Sequence, residues 1–309
     1  MKLCFIIFLI VTITKSYSQQ YKYVFKNAKD STSNCYLTVL PASKEIKGVI
    51  IRDYSSLPDT SKKSPYKFNK LCSDSGLVVV YTVSSSFFPE FFYNDSTINL
   101  LDRMVSEVVQ KYNIPRNAIF IGGISSSGTR ALKYAQFCEQ GRSKFGIKIK
   151  GVFAVDPPLD LERFYNSVKR HKHNFKAGML WEAELMSKVF PEKMGGSPTD
   201  SPEKYLKVSV FSHSDSLGGN AKFLKNVNVI LFHEPDIDWW IKERGSSYYD
   251  MNSYDIAALV VKMKELGSTT IDLITTTGKG FESNGNRNCH SWTIVNEKFL
   301  TNWILNKIE

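Results

Sequence analysis

The chain reads as an α/β protein, a mostly parallel central sheet with helices on both faces. Three observations predict this. Short, continuously apolar, β-branched runs recur along the sequence, among them 47–52 (KGVIIR), 76–81 (GLVVVY) and 227–232 (VNVILF). Such runs suit strands covered on both faces, since a strand with one wet face alternates instead. Between them lie segments whose apolar residues return at helical spacing, and strand–helix alternation favours parallel pairing through right-handed crossovers. Finally, 309 residues with 42% hydrophobic and 13% aromatic content suffice for the core of one large domain.

The elements follow in order. Segments 21–25 and 35–40 are β-rich and close enough to form a hairpin. Runs 47–52 and 76–81 are buried strands. From Ile98 to Tyr112, Leu101, Met104, Val105, Val108 and Val109 mark one helical face, with Ser96 or Thr97 as its cap. Ala118–Ile121 is a strand, and Ala131, Tyr134, Ala135 and Cys138 form the face of the helix after it. Lys150–Val155 is a strand ending at Asp156-Pro157-Pro158. Val227–Phe232 is the next. Ser253–Leu266 is an amphipathic helix stopped by Gly267. Thr270–Ile274 is a last strand, and Ile294–Ile308 a last helix with Phe299, Leu300, Trp303 and Ile304 inward. One stretch breaks the rhythm. From Leu161 to about Pro202 there is no strand pattern but many charges and aromatics, which predicts a lid-like helical insertion after the sixth sheet strand.

The first residues form a secretory signal: Lys2, an apolar run from Leu3 to Ile13, then Ser16-Tyr17-Ser18, with cleavage expected after Ser18. The apolar run is too short to span a bilayer comfortably, and no other segment qualifies. A secreted or periplasmic protein with no membrane span after cleavage is the expectation, its mature domain running from 19 to 309. Of five cysteines, Cys4 leaves with the signal; Cys35, Cys72, Cys138 and Cys289 allow three disulfide pairings, or are buried thiols. Net charge is +10, and removal of Lys2 and Lys15 leaves +8. The basic residues are scattered among acidic ones, with no arginine-rich run interleaved with aromatics, so nucleic-acid binding is not indicated. His171 and His173 have a spacing that could bind metal, but no third ligand is in view.

The most informative segment is 120–132, FIGGISSSGTRAL: a strand, a turn of glycines and serines, then a helix. That layout presents a serine hydroxyl at the tip of a strand-to-helix elbow. The elbow crowds the residues two before and two after the nucleophile. Ser125 has Gly123 and Ser127 in those places, whereas Ser126 would place β-branched Ile124 there and Ser127 would place Thr129. Ser125 is therefore the candidate nucleophile; a serine-rich turn that binds phosphate at a helix N-terminus is the competing reading. A serine needs a histidine base and a carboxylate that orients it. His290 lies after the last strand and before the last helix, where the base belongs in the order Ser, acid, His. The loop 233–240 offers Glu234, Asp236 and Asp238; Asp236 is favoured, Asp238 is second, and Asp156 is an outside candidate. The oxyanion hole requires two backbone amides, one from Ser126 and one from Asp53 or Tyr54. Trp239, Trp240, Trp181 and Tyr54 are candidates for the pocket walls.

With these residues in place, the chain from about Gly48 onward resembles the α/β-hydrolase superfamily. The resemblance rests on 123–128 (GISSSG), on Glu234-Pro235-Asp236 and on 289–292 (CHSW), and is greatest to exported esterase-like or peptidase-like members. It implies hydrolysis of a small-molecule or polymer-linked ester, or of a thioester or amide, through an acyl-enzyme and without cofactor or metal. The sequence departs from the pattern at Ser127, where the second glycine usually stands, and at Arg52-Asp53-Tyr54, where many such enzymes carry His-Gly. A non-catalytic binding protein of the same fold and an acyltransferase with the same triad are the alternatives.

Overall fold

The computed structural model describes residues 20–27, 29–41, 45–59 and 67–308. The expected signal segment lies outside them. Eight strands form one sheet: β1 (Gln20–Asn27), β2 (Asp30–Leu40), β3 (Gly48–Asp53), β4 (Leu77–Val83), β5 (Ile119–Ile124), β6 (Gly151–Val155), β7 (Asn228–His233) and β8 (Ile271–Thr275). Their order is β1-β2-β4-β3-β5-β6-β7-β8. β1 and β2 form the expected antiparallel hairpin, Gln20 opposite Leu40, and β2 pairs antiparallel with β4. Every pairing from β4 through β3, β5, β6 and β7 to β8 is parallel.

Alternate residues of the buried strands feed two cores. Val49 and Ile51 of β3, Val78 and Val80 of β4, and Val229 and Leu231 of β7 face one side. There they meet α2 (Asp95–Lys111), α3 (Ser126–Glu139) and α8 (Asn252–Glu265). Ile50, Val79, Tyr81, Ile230 and Phe232 face the other side, against α1 (Lys67–Asp74) and α9 (Glu297–Ile308). Each such side chain taken fully out of water contributes roughly 1.5–3 kcal/mol, which is why these runs stay apolar on both faces.

Two local expectations are corrected. α2 begins at Asp95, and its cap is Asn94, whose side-chain oxygen accepts from the amides of Ser96 and Thr97 at 3.1 and 3.4 Å. Phe299 is not inward: it is 44% exposed, while Leu300, Trp303 and Ile304 at i, i+3, i+4 hold the buried face.

After β6 the chain runs through α4 (Leu161–His171), α5 (Ala177–Met194) and α6 (Pro202–Val208), with no strand among them. These helices enclose a third apolar cluster built on Phe91, Phe164, Phe190 and Tyr205. Arg163 of α4 ties them to the sheet layer. Its guanidinium donates to Asp255 of α8 at 2.9 and 2.5 Å and to the Tyr249 and Asp250 carbonyls. After β7, a single turn α7 (Ile237–Trp239) runs on as a π-helical turn over Trp240–Arg244. Cys35, Cys72, Cys138 and Cys289 are all buried free thiols rather than disulfides.

Candidate active site

The chain reverses sharply at Ser125, between β5 and α3, with φ 54° and ψ −132°. A side-chain-bearing residue rarely holds this conformation, and the strain costs on the order of 1–3 kcal/mol. The turn works only because its flanks are small. A Cβ on Gly123 would lie 2.2 Å from the Ser127 hydroxyl oxygen. Ser127 in turn donates to the Asp53 carbonyl, tying the elbow to the end of β3. The Asp53 carboxylate accepts from the Thr82 hydroxyl and the Ser84 amide and hydroxyl, and pairs with Arg130 of α3 at 3.3 Å. The Arg52-Asp53-Tyr54 departure therefore has a structural use: it braces the elbow from behind.

Ser125 and His290 line the same pocket, together with Pro158, Phe164, Met179, Glu182, Trp240, Arg244, Asp250 and Asn252. No direct hydrogen bond joins the serine and the histidine. Such bonds are commonly loose before substrate binds. The His290 Nδ1–H donates to Oδ2 of Asp156, which leaves Nε2 as the remaining ring nitrogen.

Asp156, at the end of β6, is thus the carboxylate that meets His290, one strand earlier than expected. It is fully buried, with φ 45°, a left-handed conformation that aspartate tolerates better than most residues. Its amide donates to the Phe232 carbonyl, and its carbonyl accepts from Asn252. Its second carboxylate oxygen accepts from Nδ1 of His233 at 2.8 Å. His233 is itself 2% exposed, and its Nε2 meets the Ser253 hydroxyl. Burial alone would raise the Asp156 pKa, but the two imidazoles overcome it and hold the carboxyl well below the usual range. His290 shows the complement. Burial lowers its pKa, the charge and hydrogen bond of Asp156 raise it, and the net shift is upward from 6.5.

Asp236, the acid favoured from sequence, does not reach His290. One of its oxygens caps α7, accepting from the Trp239 amide at 2.9 Å, and the other pairs with Arg287. Asp238 makes no contact with His290 either. Glu234 accepts from Arg287, the Thr276 hydroxyl and the amides of Gly278 and Lys279. Glu234 and Asp236 therefore fasten the loop that carries His290 rather than the imidazole itself.

Tyr54 is corrected too. Its amide already donates to the Thr82 carbonyl at 2.9 Å and is not available to an oxyanion. Ser126 opens α3, so its amide belongs to the first helical turn, whose N–H groups have no intrahelical acceptor. Of the expected pocket walls, Trp240 lines the pocket. Trp239 packs edge-on behind Trp240 and donates to the Arg287 carbonyl. Trp181 points away, 57% exposed and stacked on Phe88. His233, Ser253, Glu182 and Arg244 were not singled out from sequence as site residues. Their signal was weak: isolated polar residues in an aromatic-rich stretch, at a strand end or at a helix start.

Glu234, Asp236 and Cys289 bring their ligand atoms within 4.8 Å of one another. Arg287 already spans the two carboxylates, and burial pushes the Cys289 thiol up to about 12, so it is a poor thiolate donor. The trio reads as a salt-bridge cluster. No helix among the described residues is long and apolar enough to cross a membrane.

Neither a protein-family model nor a curated protein matches the chain. Solved structures do resemble it. An acylaminoacyl peptidase from Pyrococcus horikoshii aligns over 95% of this chain at TM-score 0.58 and 16% identity; the match spans 42% of the peptidase, so the chain is less than half its length. A truncated carbohydrate esterase from gut microbiota aligns over 96% of this chain and 98% of its own, at TM-score 0.57 and 13% identity. The S-formylglutathione hydrolase of Agrobacterium tumefaciens aligns over 97% and 99%, at 0.56 and 10%. At these identities the likeness establishes the fold: a mixed, mostly parallel eight-stranded sheet of the α/β-hydrolase type.

Proposed function

We propose that the protein is an exported serine hydrolase that cleaves an ester bond through an acyl-enzyme on Ser125. The observation that carries this reading is a strained elbow serine sharing one pocket with a histidine whose other face is held by a buried carboxylate. In this reading Ser125 attacks the carbonyl, and His290 Nε2 takes the hydroxyl proton and returns it to the leaving group. Asp156 fixes the tautomer and stabilises the imidazolium. The Ser126 amide, at the positive end of α3, donates to the developing oxyanion. The neighbours are a carbohydrate esterase, an acylaminoacyl peptidase and an S-formylglutathione hydrolase by their own names; an ester is the bond proposed here, with an amide as the second reading. Export rests on the N-terminal sequence pattern.

A fluorophosphonate probe is expected to label wild-type protein at Ser125 and to fail on Ser125→Ala, with short p-nitrophenyl esters turned over by the wild type. A folded wild type that neither takes the label nor turns over any ester would overturn the reading.

The acid limb of the rate profile supplies a second test. His290 acts as base only when neutral, and its pKa is raised from 6.5. Activity should therefore rise with pH through a midpoint above 6.5 and be lost below it. A profile of kcat/KM that stays flat from about pH 5 to 9 would contradict the assignment of His290.

A further inference from the structure

Around the Ser125 pocket, two charged side chains make no hydrogen bond or ion pair among the described residues. Asp156 is shared by its two imidazoles, and Asp250 accepts from Ser167, His171 and Ser247. Glu182 of α5 and Arg244 at the end of the π-helical turn both line the pocket, yet neither side chain makes a hydrogen bond or ion pair among the described residues. A single π turn inside helical backbone is often found at functional sites.

Arg244 is held by shape rather than by a counter-ion. Its guanidinium carbon lies 5.6 Å from the Trp239 ring centre, and its Nη1 lies 2.5 Å from where a Cβ on Gly178 would be. The absence of a side chain at position 178 leaves the room that the guanidinium occupies.

The two unpaired groups are not equivalent. Burial raises the Glu182 carboxyl above its ordinary 4.5, against the pull of His290 and Arg244. An arginine cannot lose its charge, and its planar fork matches a carboxylate in a bidentate way. Arg244 therefore offers the pocket a permanent positive charge with donors that no side chain of the described residues takes up.

We propose that the site selects esters that carry a second, ionised carboxyl group, held by Arg244 while the ester carbonyl lies at Ser125. This rests on the serine-hydrolase reading above and names its substrate class.

The test compares p-nitrophenyl esters with six-carbon acyl chains ending in methyl (hexanoate), carboxylate (adipate) or ammonium (aminohexanoate). The leaving-group side is covered by meta-acetoxybenzoate against meta-methylphenyl acetate. In the wild type, kcat/KM for the acidic member of at least one set should exceed that of its neutral counterpart by about tenfold or more, the scale of one charge-assisted pair. Arg244→Met should bring that ratio close to one, and Arg244→Lys should retain part of it. Gly178→Ala is the variant that leaves the arginine in the chain. Alanine suits a helix better than glycine, so the fold should hold, while the guanidinium is displaced and the ratio falls. Equal or better turnover of the neutral or ammonium esters by the wild type would overturn the proposal, as would a ratio that survives in both Arg244→Met and Gly178→Ala. Failure of the underlying reading looks different: no ester is turned over at all and Ser125 takes no fluorophosphonate.

Discussion

Ser125→Ala is expected to lower kcat for a short p-nitrophenyl ester by on the order of 10⁶-fold, the scale seen when the nucleophile of a serine triad is removed. The effect is large because no neighbour can substitute. Ser126 begins α3, and the Ser127 hydroxyl is committed to the Asp53 carbonyl. The substitution removes one oxygen from the pocket and leaves the braces of the elbow untouched, so the variant should melt close to wild type. Residual activity within tenfold of wild type would place the nucleophile elsewhere.

The second large effect belongs to Asp156. Asp156→Asn should cost about 10⁴-fold in kcat, by analogy with removal of the carboxylate charge behind a catalytic imidazole. The loss has a clear origin. Both oxygens of Asp156 accept from imidazole N–H groups, one from His290 and one from His233. An asparagine has a single acceptor oxygen, so one imidazole must change tautomer or lose its partner. If His290 does so, its Nε2 carries a proton and cannot take another from Ser125. Asp236→Asn is the control that separates the two carboxylates. Asp236 acts on the His290 loop only through Arg287 and the α7 cap, so its loss should cost tenfold or less in kcat, roughly the scale of one cap or exposed ion pair. Steady-state kinetics on the two variants decide between them, and the reverse ranking would restore the sequence-based choice.

Much of this was legible in the chain because it is local. Strands buried on both faces announce themselves as unbroken apolar runs. The elbow announces itself because Gly123, Ser125 and Ser127 must satisfy one another within a few residues. His290 is singled out in the sequence by its place between the last strand and the last helix, and the structure puts it in one pocket with Ser125. The acid was harder. Asp156, Glu234, Asp236 and Asp238 all lie at or beyond the ends of adjacent strands, and the sequence does not say which of them the long loop between β8 and α9 reaches. In the structure His290 meets Asp156 while Arg287 clasps Glu234 and Asp236, and both arrangements are tertiary. Tyr54 is hidden for a similar reason: its amide continues the ladder with β4 for one residue past β3, which composition does not reveal. The loose spot was the aromatic reading. Trp181 looks like a pocket wall in one dimension but sits on the outer side of α5.

β5, β6 and β7 are consecutive neighbours in the sheet; Ser125 and Asp156 are the first residues past β5 and β6, and His233 ends β7. The spacing of the first two proposed reacting groups is thereby locked to the inter-strand distance of the sheet, about 4.8 Å per step, rather than to any flexible connection. In the proposed reading the excursion after β7 does not carry the acid. Its outer part, from Ile237 to Arg244, can vary in what it offers to incoming molecules, provided Glu234 and Asp236 keep their hold on Arg287.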